Sequence, residues 1–193
     1  MIMNDDVSKL IEVCNNIYDR QLVSGKSGNV SIRLGDYIAI TPTLKPINGL
    51  NEKEIVLVDM DGNSLTNGNP SSETGMHLGI YKKREDVNAI VHTHSPYATG
   101  FSFNYDKLKI LEDYSKFYNI NLSSVDYENP GSKELALKAS EKIIENDALI
   151  LKKHGPLCVG KTLKETESLA IFIEEAAKTK FISIMLNSVK DIE

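Results

Sequence analysis

The chain lacks several features that define whole classes of proteins. It has only two cysteines, Cys14 and Cys158, which lie far apart and in no metal-binding spacing. This argues against a disulfide-stabilised domain and against a cysteine-based metal site, and it favours reduced thiols. No apolar run is long enough to span a membrane, and the N-terminal residues lack the basic start of a signal peptide. We therefore expect a cytoplasmic protein.

Positive charge is also scarce, and its scarcity limits the kinds of partner. The formal net charge is −5, and no cluster of lysine and arginine stands out. Nucleic acid and anionic membranes are therefore poor candidates as partners. Internal repeats and low-complexity segments are absent from the sequence, and 41% of its 193 residues are hydrophobic. These properties predict one globular domain, residues 1–193, with a sizeable core.

Hydrophobic periodicity predicts the order of helices and strands. Helices are expected at 7–22, 72–83, 97–103, 133–145 and 162–187, and strands at 30–34, 37–41, 54–59, 87–92, 148–151 and 157–160. Residues 107–118 fit an amphipathic helix or an extended connector, and the pattern leaves both open. A tight turn at Gly35-Asp36 joins the first two strands into a hairpin. The sum predicts an α/β fold, a single domain with a mostly antiparallel central sheet flanked by helices.

Two of the four histidines stand two residues apart where a predicted strand ends. His92 and His94 follow the apolar run 87–91, and alternate residues of a strand point to the same face. The pair alone is as consistent with ordinary hydrogen-bonded histidines as with a metal site. His154 follows another buried strand, and three imidazoles with one further position describe a catalytic zinc site.

Glu73 is the natural carboxylate partner for these histidines. Pro70-Ser71-Ser72-Glu73 opens a predicted helix, whose dipole favours a negative charge in its first turn. A capping acid is the alternative interpretation. His77 lies four residues further on, and therefore on the same helical face, where we expect a hydrogen-bonded support rather than a metal ligand.

Three polar segments have the composition of a phosphate-binding cradle. They are residues 25–29, 41–43 and 71–72, which offer backbone N–H groups, small hydroxyls and one helix N-terminus. None of them has the spacing of a Walker or dinucleotide-binding motif. Each segment taken singly is more often an ordinary turn.

In combination, these segments resemble the class II aldolase/adducin family over nearly the whole chain. The motifs that carry the resemblance occur in the family's order: Ser27-Gly28-Asn29-Val30-Ser31, Ile40-Thr41-Pro42-Thr43, Pro70-Ser71-Ser72-Glu73, His77, Val91-His92-Thr93-His94-Ser95-Pro96, Pro130-Gly131-Ser132-Lys133-Glu134-Leu135 and His154-Gly155. The resemblance implies a three-layer fold and a homotetramer with active sites at subunit interfaces. Lys26 and Leu44 depart from the pattern, because family members often have Thr and Gly there.

The resemblance also implies roles for individual residues. It assigns one divalent metal ion per subunit, zinc before manganese or cobalt, to His92, His94 and His154, and makes Glu73 both a ligand and the catalytic base. The substrate's phosphate would be held by residues that match the family's phosphate site: Gly28, Asn29, Thr43, Ser71 and Ser72. Tyr114 is the best match to a catalytic tyrosine that the neighbouring subunit supplies.

The activity that the resemblance implies is a metal-dependent aldol cleavage. The substrate would be a 1-phosphorylated ketose, such as L-fuculose 1-phosphate or a related ribulose or 5-deoxyribulose 1-phosphate. The products would be dihydroxyacetone phosphate and a short aldehyde.

Three alternatives stay open on the same scaffold. A ribulose-phosphate 4-epimerase is disfavoured, because family epimerases have a histidine three residues after the second metal histidine, where this chain has Tyr97. A methylthioribulose-1-phosphate dehydratase would share the metal site. A non-catalytic adducin-like binding domain would not need three histidines and a glutamate.

Overall fold

A seven-stranded sheet forms the centre of the computed structural model, which describes residues 2–188 except the side chains of residues 2–4, 105–108 and 110. Residue 1 and residues 189–193 of the predicted domain lie outside the described residues. The strands are β1 (Asn29–Leu34), β2 (Tyr37–Ile40), β3 (Val56–Asp59), β4 (Ala89–His92), β5 (Leu122–Val125), β6 (Ala148–Leu151) and β7 (Gly155–Gly160). Their order is β3-β2-β1-β4-β7-β6-β5, and every neighbouring pair is antiparallel except β5 with β6.

Helices cover both faces of this sheet. They are α1 (Ile2–Asp19), α2 (Thr74–Lys83), α3 (Pro96–Phe101), α4 (Tyr105–Lys116), α5 (Lys133–Lys142) and α6 (Leu163–Ser188), with one-turn 3-10 helices at Glu52–Glu54 and Ile143–Glu145. Helices α2 and α5 pack on one face, and α1, α3, α4 and α6 pack on the other, so two apolar cores enclose the sheet. The predicted α/β architecture is confirmed. In the described part of the chain, no helix has the length and apolar character needed to cross a membrane.

The largest differences from the sequence prediction lie in the middle of the chain. Strand β5 was not predicted, because Leu122-Ser123-Ser124-Val125 is short and half polar and gains its pairing from β6. The open segment 107–118 is largely the helix α4. Strand β3 begins at Val56 rather than at residue 54, because Asn51 caps the 3-10 helix that precedes it.

The first helix also differs from its prediction, since α1 spans residues 2–19 rather than 7–22. The chain leaves the helix because Gln21 adopts a left-handed conformation with φ +60°. The backbone N–H of Leu22 then bonds to the carbonyl oxygen of Ile17 at 2.9 Å, in the manner of a helix C-cap.

Strand β4 occupies the middle of the sheet and carries the first metal-ligand candidate. His92 lies opposite Asn29 of β1 and opposite Leu157 of β7. Ala89 and Val91 face the core beneath α6, and Ile90 faces the core beneath α2. Because side chains alternate along a strand, His92 points to the α2 side of the sheet.

Gly155 allows the β6–β7 hairpin to come very close to the segment after β4. Residues 152–154 form the turn of this hairpin, with Lys153 at φ +59° and Gly155 at φ +154°. A Cβ atom at Gly155 would lie 2.1 Å from the carbonyl oxygen of Thr93, which leaves no room for a side chain. The close approach brings His154 next to His92 and His94.

Replacing Gly155 with alanine should therefore lower the free energy of unfolding by about 2 kcal/mol or more, because both the backbone conformation and the contact are unfavourable for a side chain. Urea denaturation followed by circular dichroism measures this change. Gly75→Ala on α2 is the matched control, since nothing lies within 4 Å of its added Cβ. The control should stay within about 1 kcal/mol of the parent, and an equal loss in both variants would contradict the prediction.

Candidate metal centre

Four side chains from distant parts of the sequence converge where the central strand β4 ends. They are Glu73, His92, His94 and His154, and their ligand atoms all lie within 4.8 Å of one another. The imidazole ring of His154 lies 4.7 Å from the rings of both His92 and His94, centroid to centroid. Glu73, His92 and His154 are buried, whereas His94 is half-buried.

Local structure fixes the position of each residue in this cluster. His92 ends β4, and the backbone N–H of His94 bonds to the carbonyl oxygen of Leu22 at 3.1 Å. Glu73 is the N-cap residue of α2 rather than a residue of its first turn, and its side chain makes no capping bond. Its own backbone N–H instead donates to Ser71 Oγ at 3.2 Å. The capping interpretation of the Glu73 side chain is therefore wrong.

The hydrogen bonds of His92 identify its free nitrogen. Its Nδ1 lies 2.9 Å from the carbonyl oxygen of Pro156, which can only accept, so Nδ1 donates and Nε2 carries a lone pair in the neutral ring. That Nε2 lies 3.1 Å from His154 Nε2 and 3.2 Å from Glu73 Oε2. Lone pairs this close repel one another unless a proton or a cation lies between them.

Unpaired buried atoms also fit a cation in this place. Glu73 Oε1 is buried without a hydrogen-bond partner in the part of the chain that the structure describes, and it lies 3.6 Å from His154 Nε2. Nitrogen and oxygen donors in this combination suit zinc, and imidazole also suits other first-row divalent ions. The four side chains therefore fit a divalent metal ion.

The electrostatics of the cluster favour the ligand forms of His94, His154 and Glu73, whereas the carboxylate of Glu73 favours protonation of His92. Burial lowers the pKa of His94 to about 3 and that of His154 to about 4, so both imidazoles are neutral near pH 7. Burial opposes ionisation of Glu73, but His92, His154 and Asn29 outweigh it, and the pKa of Glu73 falls well below its usual range. Burial also lowers the pKa of His92, but the carboxylate of Glu73 reverses the shift and raises it. Metal binding would therefore have to displace a proton from His92 only, whenever that ring is protonated.

His77 supports the cluster rather than joining it, as the sequence predicted. It is fully buried, and its Nδ1 and Nε2 lie 2.7 Å from Ser31 Oγ and 2.6 Å from Asn29 Oδ1. Asn29 in turn donates from Nδ2 to Glu73 Oε2 at 2.9 Å.

The residues expected at the phosphate lie in three chain segments and differ in their surroundings. Ser71 is buried and Ser72 is exposed, and Thr43 is half-buried in a segment that runs antiparallel to residues 69–71. The side chain of Asn29 is already bonded to Glu73 and His77. Gly28 has φ +77°, and a Cβ atom there would lie 2.9 Å from the carbonyl oxygen of His92. The need for glycine at this position is therefore structural.

Tyr114 has a different environment. It lies on α4, where its hydroxyl is 3.0 Å from that of Tyr118 and Lys180 Nζ is 4.3 Å from its ring centroid. Within the described residues, none of these contacts joins it to the four-residue cluster. The ring of Tyr97 packs on that of Phe181 in α6, at 5.5 Å between centroids.

Comparisons with known proteins agree with this geometry. A family model described as class II aldolase and adducin N-terminal domain matches residues 8–181. The chain belongs to this family. An L-fuculose phosphate aldolase of Methanococcus maripaludis is 42% identical over 92% of this chain and 97% of its own length. A 3-oxo-tetronate 4-phosphate decarboxylase of Haemophilus influenzae is 32% identical over 89% of this chain and 85% of its own. A sugar-phosphate aldolase from Thermotoga maritima has the same fold, with a TM-score of 0.88, 24% identity and coverage of 98% and 99%.

Leu44, which departs from the pattern expected from the resemblance, has an unusual backbone conformation. Leu44 has φ +59° and is 75% exposed. The backbone keeps a conformation that suits glycine, and the side chain points into solvent. The leucine side chain is therefore accommodated at this position without being crowded.

Glu174 is a site-supporting residue that sequence reasoning missed. This buried side chain of α6 accepts hydrogen bonds from the backbone N–H groups of Tyr97 and Ala98, both at 2.9 Å. It thereby caps α3, whose start directly follows His94, in place of the local cap Ser95, whose buried hydroxyl has no partner among the described residues. Spacing along the sequence could not reveal this bond, because it joins residues 76 and 77 positions apart.

We expect the purified protein to contain about one divalent ion per chain, as a three-histidine site with a carboxylate does in other proteins. Elemental analysis by mass spectrometry measures the ion. Removal with a chelator should lower the melting temperature, and adding zinc should restore it, because the ion binds the native state selectively.

Variants locate the ion in this prediction. His92→Ala and His154→Ala should lose it, whereas His77→Gln should keep it, because His77 lies outside the cluster. An ion that survives in His92→Ala, or that is lost in His77→Gln, would place the metal elsewhere.

Proposed function

We propose that this class II aldolase family member is a metal-dependent lyase that cleaves a 1-phosphorylated ketose. The substrate is L-fuculose 1-phosphate or a related ribulose or 5-deoxyribulose 1-phosphate, and the products are dihydroxyacetone phosphate and a short aldehyde. One observation carries the proposal: a buried carboxylate with one unpaired oxygen lies among three imidazoles and next to two serines. The 42% identity to an L-fuculose phosphate aldolase supports the reaction class.

The metal ion, most suitably zinc, is held by His92, His94, His154 and Glu73 in this proposal. When bound, it supplies a positive charge that stabilises the negative charge developing on the ketose oxygen. The low pKa values of His94 and His154 keep both ligand nitrogens unprotonated near pH 7. The burial of the cluster excludes water, which strengthens each electrostatic interaction within it.

Glu73 is the residue that we assign to proton transfer. In the cleavage direction the C4 hydroxyl loses its proton, the C3–C4 bond breaks and C4 becomes the aldehyde carbon. The electron pair of that bond remains on the three-carbon fragment as an enediolate. The proton that left the C4 hydroxyl passes to solvent, and Glu73 takes up one proton from solvent and delivers it to C3, which returns Glu73 to its carboxylate form. A carboxylate with one unpaired oxygen and a fixed partner on the other is suited to this exchange.

The phosphate end of the substrate is assigned to the polar segments beside Glu73. Thr43, Ser71 and Ser72 lie on two chain segments that are bridged between Pro42 and Pro70. Gly28 and Asn29 contribute backbone groups rather than side chains in this proposal, because Gly28 has no side chain and the amide of Asn29 is bonded to Glu73 and His77. Backbone N–H groups and hydroxyls of this kind bind phosphate without a lysine or arginine.

Tyr114 is assigned to the aldehyde end of the substrate, in the active site of a neighbouring subunit. Its described contacts are with Tyr118 and Lys180 and not with the cluster of its own subunit, which supports a role in a neighbouring one. Large apolar side chains exposed on the same side of the sheet also support assembly, which we propose is a homotetramer: Phe117, Tyr118, Phe181, Ile182, Met185 and Leu186.

Decarboxylation is the second candidate reaction, and one relative favours it. The Haemophilus influenzae protein that is 32% identical carries the name of a 3-oxo-tetronate 4-phosphate decarboxylase. Loss of carbon dioxide from a 3-oxo acid also leaves a negative charge next to a carbonyl, so the same ion and the same base would serve. The higher identity to the aldolase is the reason that we propose aldol cleavage before decarboxylation.

A panel of phosphorylated substrates tests the reaction. We expect dihydroxyacetone phosphate to be released from at least one of L-fuculose, ribulose and 5-deoxyribulose 1-phosphate, measured by coupled reduction with NADH. Glu73→Gln, which keeps the shape of the side chain but cannot take up a proton, should lower the rate by about 100-fold or more.

The panel also includes the competing substrate. Release of carbon dioxide from 3-oxo-tetronate 4-phosphate, with no cleavage of any ketose phosphate, would replace the aldolase proposal with the decarboxylase. Full activity in Glu73→Gln would reject the assigned base under either reaction.

Tyr114→Phe should lower the rate of aldol cleavage by about tenfold or more, because the variant lacks the hydroxyl that serves the aldehyde oxygen. The exchange of the C3 hydrogen of dihydroxyacetone phosphate with deuterated water needs no aldehyde, and its rate should be unchanged. Nuclear magnetic resonance measures the exchange. Tyr118→Phe is the matched control, and an equal loss of cleavage in both variants would contradict the assignment.

A further inference from the structure

Strand β1 and helix α2 present two rows of polar residues whose spacings match. Asn29, Ser31 and Arg33 alternate along β1, on the face opposite to Val30 and Ile32. Two residues of a strand span about 6.6 Å and four residues of a helix about 6 Å, so a strand row and a helix row can stay in register. Residues at four-residue intervals from the start of α2 form the second row: Glu73, His77 and Tyr81.

The two rows form one continuous chain of hydrogen bonds. Tyr81 Oη lies 2.8 Å from Ser31 Oγ, and Ser31 Oγ lies 2.7 Å from His77 Nδ1. His77 Nε2 lies 2.6 Å from Asn29 Oδ1, and Asn29 Nδ2 lies 2.9 Å from Glu73 Oε2. We call these four residues, Tyr81, Ser31, His77 and Asn29, the positioning chain.

Elementary hydrogen-bond chemistry sets the direction of every bond in the positioning chain. An ionised carboxylate only accepts, so Asn29 presents its NH₂ group to Glu73 and its carbonyl oxygen to His77. His77 Nε2 must then carry the proton, and its Nδ1 accepts from the hydroxyl of Ser31. The oxygen of Ser31 is left to accept from the hydroxyl of Tyr81. Each donor therefore points along the chain toward Glu73.

Burial keeps this direction fixed. Ser31 and His77 are completely buried, and Tyr81 and Asn29 are exposed by 1% and 4%, so water cannot offer alternative partners. Burial lowers the pKa of His77 to about 3 and raises the pKa of Tyr81, so both are neutral at physiological pH. Arg33 holds the far end in place, since its guanidinium donates to the backbone oxygen of Tyr81 and lies 4.9 Å from the centroid of its ring.

The positioning chain contacts one of the two carboxylate oxygens of Glu73 and not the other. Oε2 accepts from Asn29, whereas Oε1 has no hydrogen-bond partner among the described residues. We propose that the positioning chain commits Oε2 to Asn29 and thereby makes Oε1 the oxygen that exchanges a proton with the substrate. Its members act through Glu73 and touch no reacting atom. The inference rests on the proposed function for the role of Glu73 and on the geometry for everything else.

A purely structural role would not require this arrangement. Apolar side chains on the same rows would pack without any polar group to satisfy, and buried polar networks stabilise a fold only when every member is paired. Here every member of the positioning chain has a hydrogen-bond partner, and all of its bonds donate in the same direction. The last bond ends on Glu73, the carboxylate of the candidate site.

The protonation of His77 tests the positioning chain independently of activity. The protein has four histidines, so long-range ¹H–¹⁵N spectra of the zinc-loaded chain are simple, and the His77 signals are those missing from His77→Gln. We expect the tautomer with hydrogen on Nε2. Hydrogen on Nδ1, or a doubly protonated ring at pH 7, would overturn the proposal.

Ser31→Ala tests the consequence for proton transfer. Removing the donor to Nδ1 should let His77 change tautomer, release Asn29 and lower the exchange rate of dihydroxyacetone phosphate in deuterated water by about tenfold. KM should stay within about twofold and metal content should not change. Ser31→Thr keeps a hydroxyl and should restore most of the rate. Ser140→Ala, at another buried serine, is the control, because the hydroxyl of Ser140 donates to the backbone oxygen of Leu137 within α5, away from the positioning chain.

The remaining outcomes are also decisive. A parental exchange rate in Ser31→Ala, or an equal loss in Ser140→Ala, would overturn the positioning chain. If Ser31→Ala does not fold, Tyr81→Phe decides: a loss of about twofold or more with a shift of the His77 signals supports the chain, and no change in either overturns it. If the parent enzyme neither exchanges nor cleaves any substrate, the proposed function fails, while the His77 tautomer still tests the chain.

Discussion

The antiparallel pairing of β4 with β1 and β7 is the constraint on which the site depends. It places His92 opposite Asn29 on one side and Leu157 on the other. A slip of one residue would turn His92 toward the core beneath α6 and bring a neighbouring apolar side chain to α2. Because three residues connect β6 to β7, the same register brings His154 within 3.1 Å of His92. The backbone hydrogen bonds of the sheet therefore set the spacing of the ligand candidates.

Burying a carboxylate among these strands costs free energy, and the surroundings show how the cost is offset. The amide of Asn29 donates a hydrogen bond to Glu73 on one side, and on the other side a proton on His92 or a metal ion held by the imidazoles would balance its charge. Around the two polar rows of β1 and α2, the core on this side of the sheet is largely apolar. This arrangement links stability to chemistry, because the bonds that allow Glu73 to be buried also orient it. An unpaired oxygen remains at the one place where a metal ion or a substrate fits.

The names of the relatives are consistent with one metal centre that can serve more than one reaction. Relatives of the chain carry the names of an aldolase and of a decarboxylase, and both reactions leave negative charge next to a carbonyl. A rigid centre of three imidazoles and a carboxylate suits either reaction. The choice between them belongs to the residues that receive the departing fragment, and in the proposed function these include Tyr114 of a neighbouring subunit.

The local pattern was sufficient for most of the helices and strands, for the histidine pair and for Ser132 as a helix cap, because these depend on neighbours within a few residues. It also indicated His77 as a support, since His77 and Glu73 lie four residues apart on one helical face. Strand β5 and the contacts of His92 with Pro156 and of Glu174 with α3 could not be predicted in this way. They join residues far apart in sequence, and the spacing of residues along the chain does not indicate such contacts. Tertiary structure alone decided which oxygen of Glu73 is paired, because that depends on how β1 and α2 pack against each other.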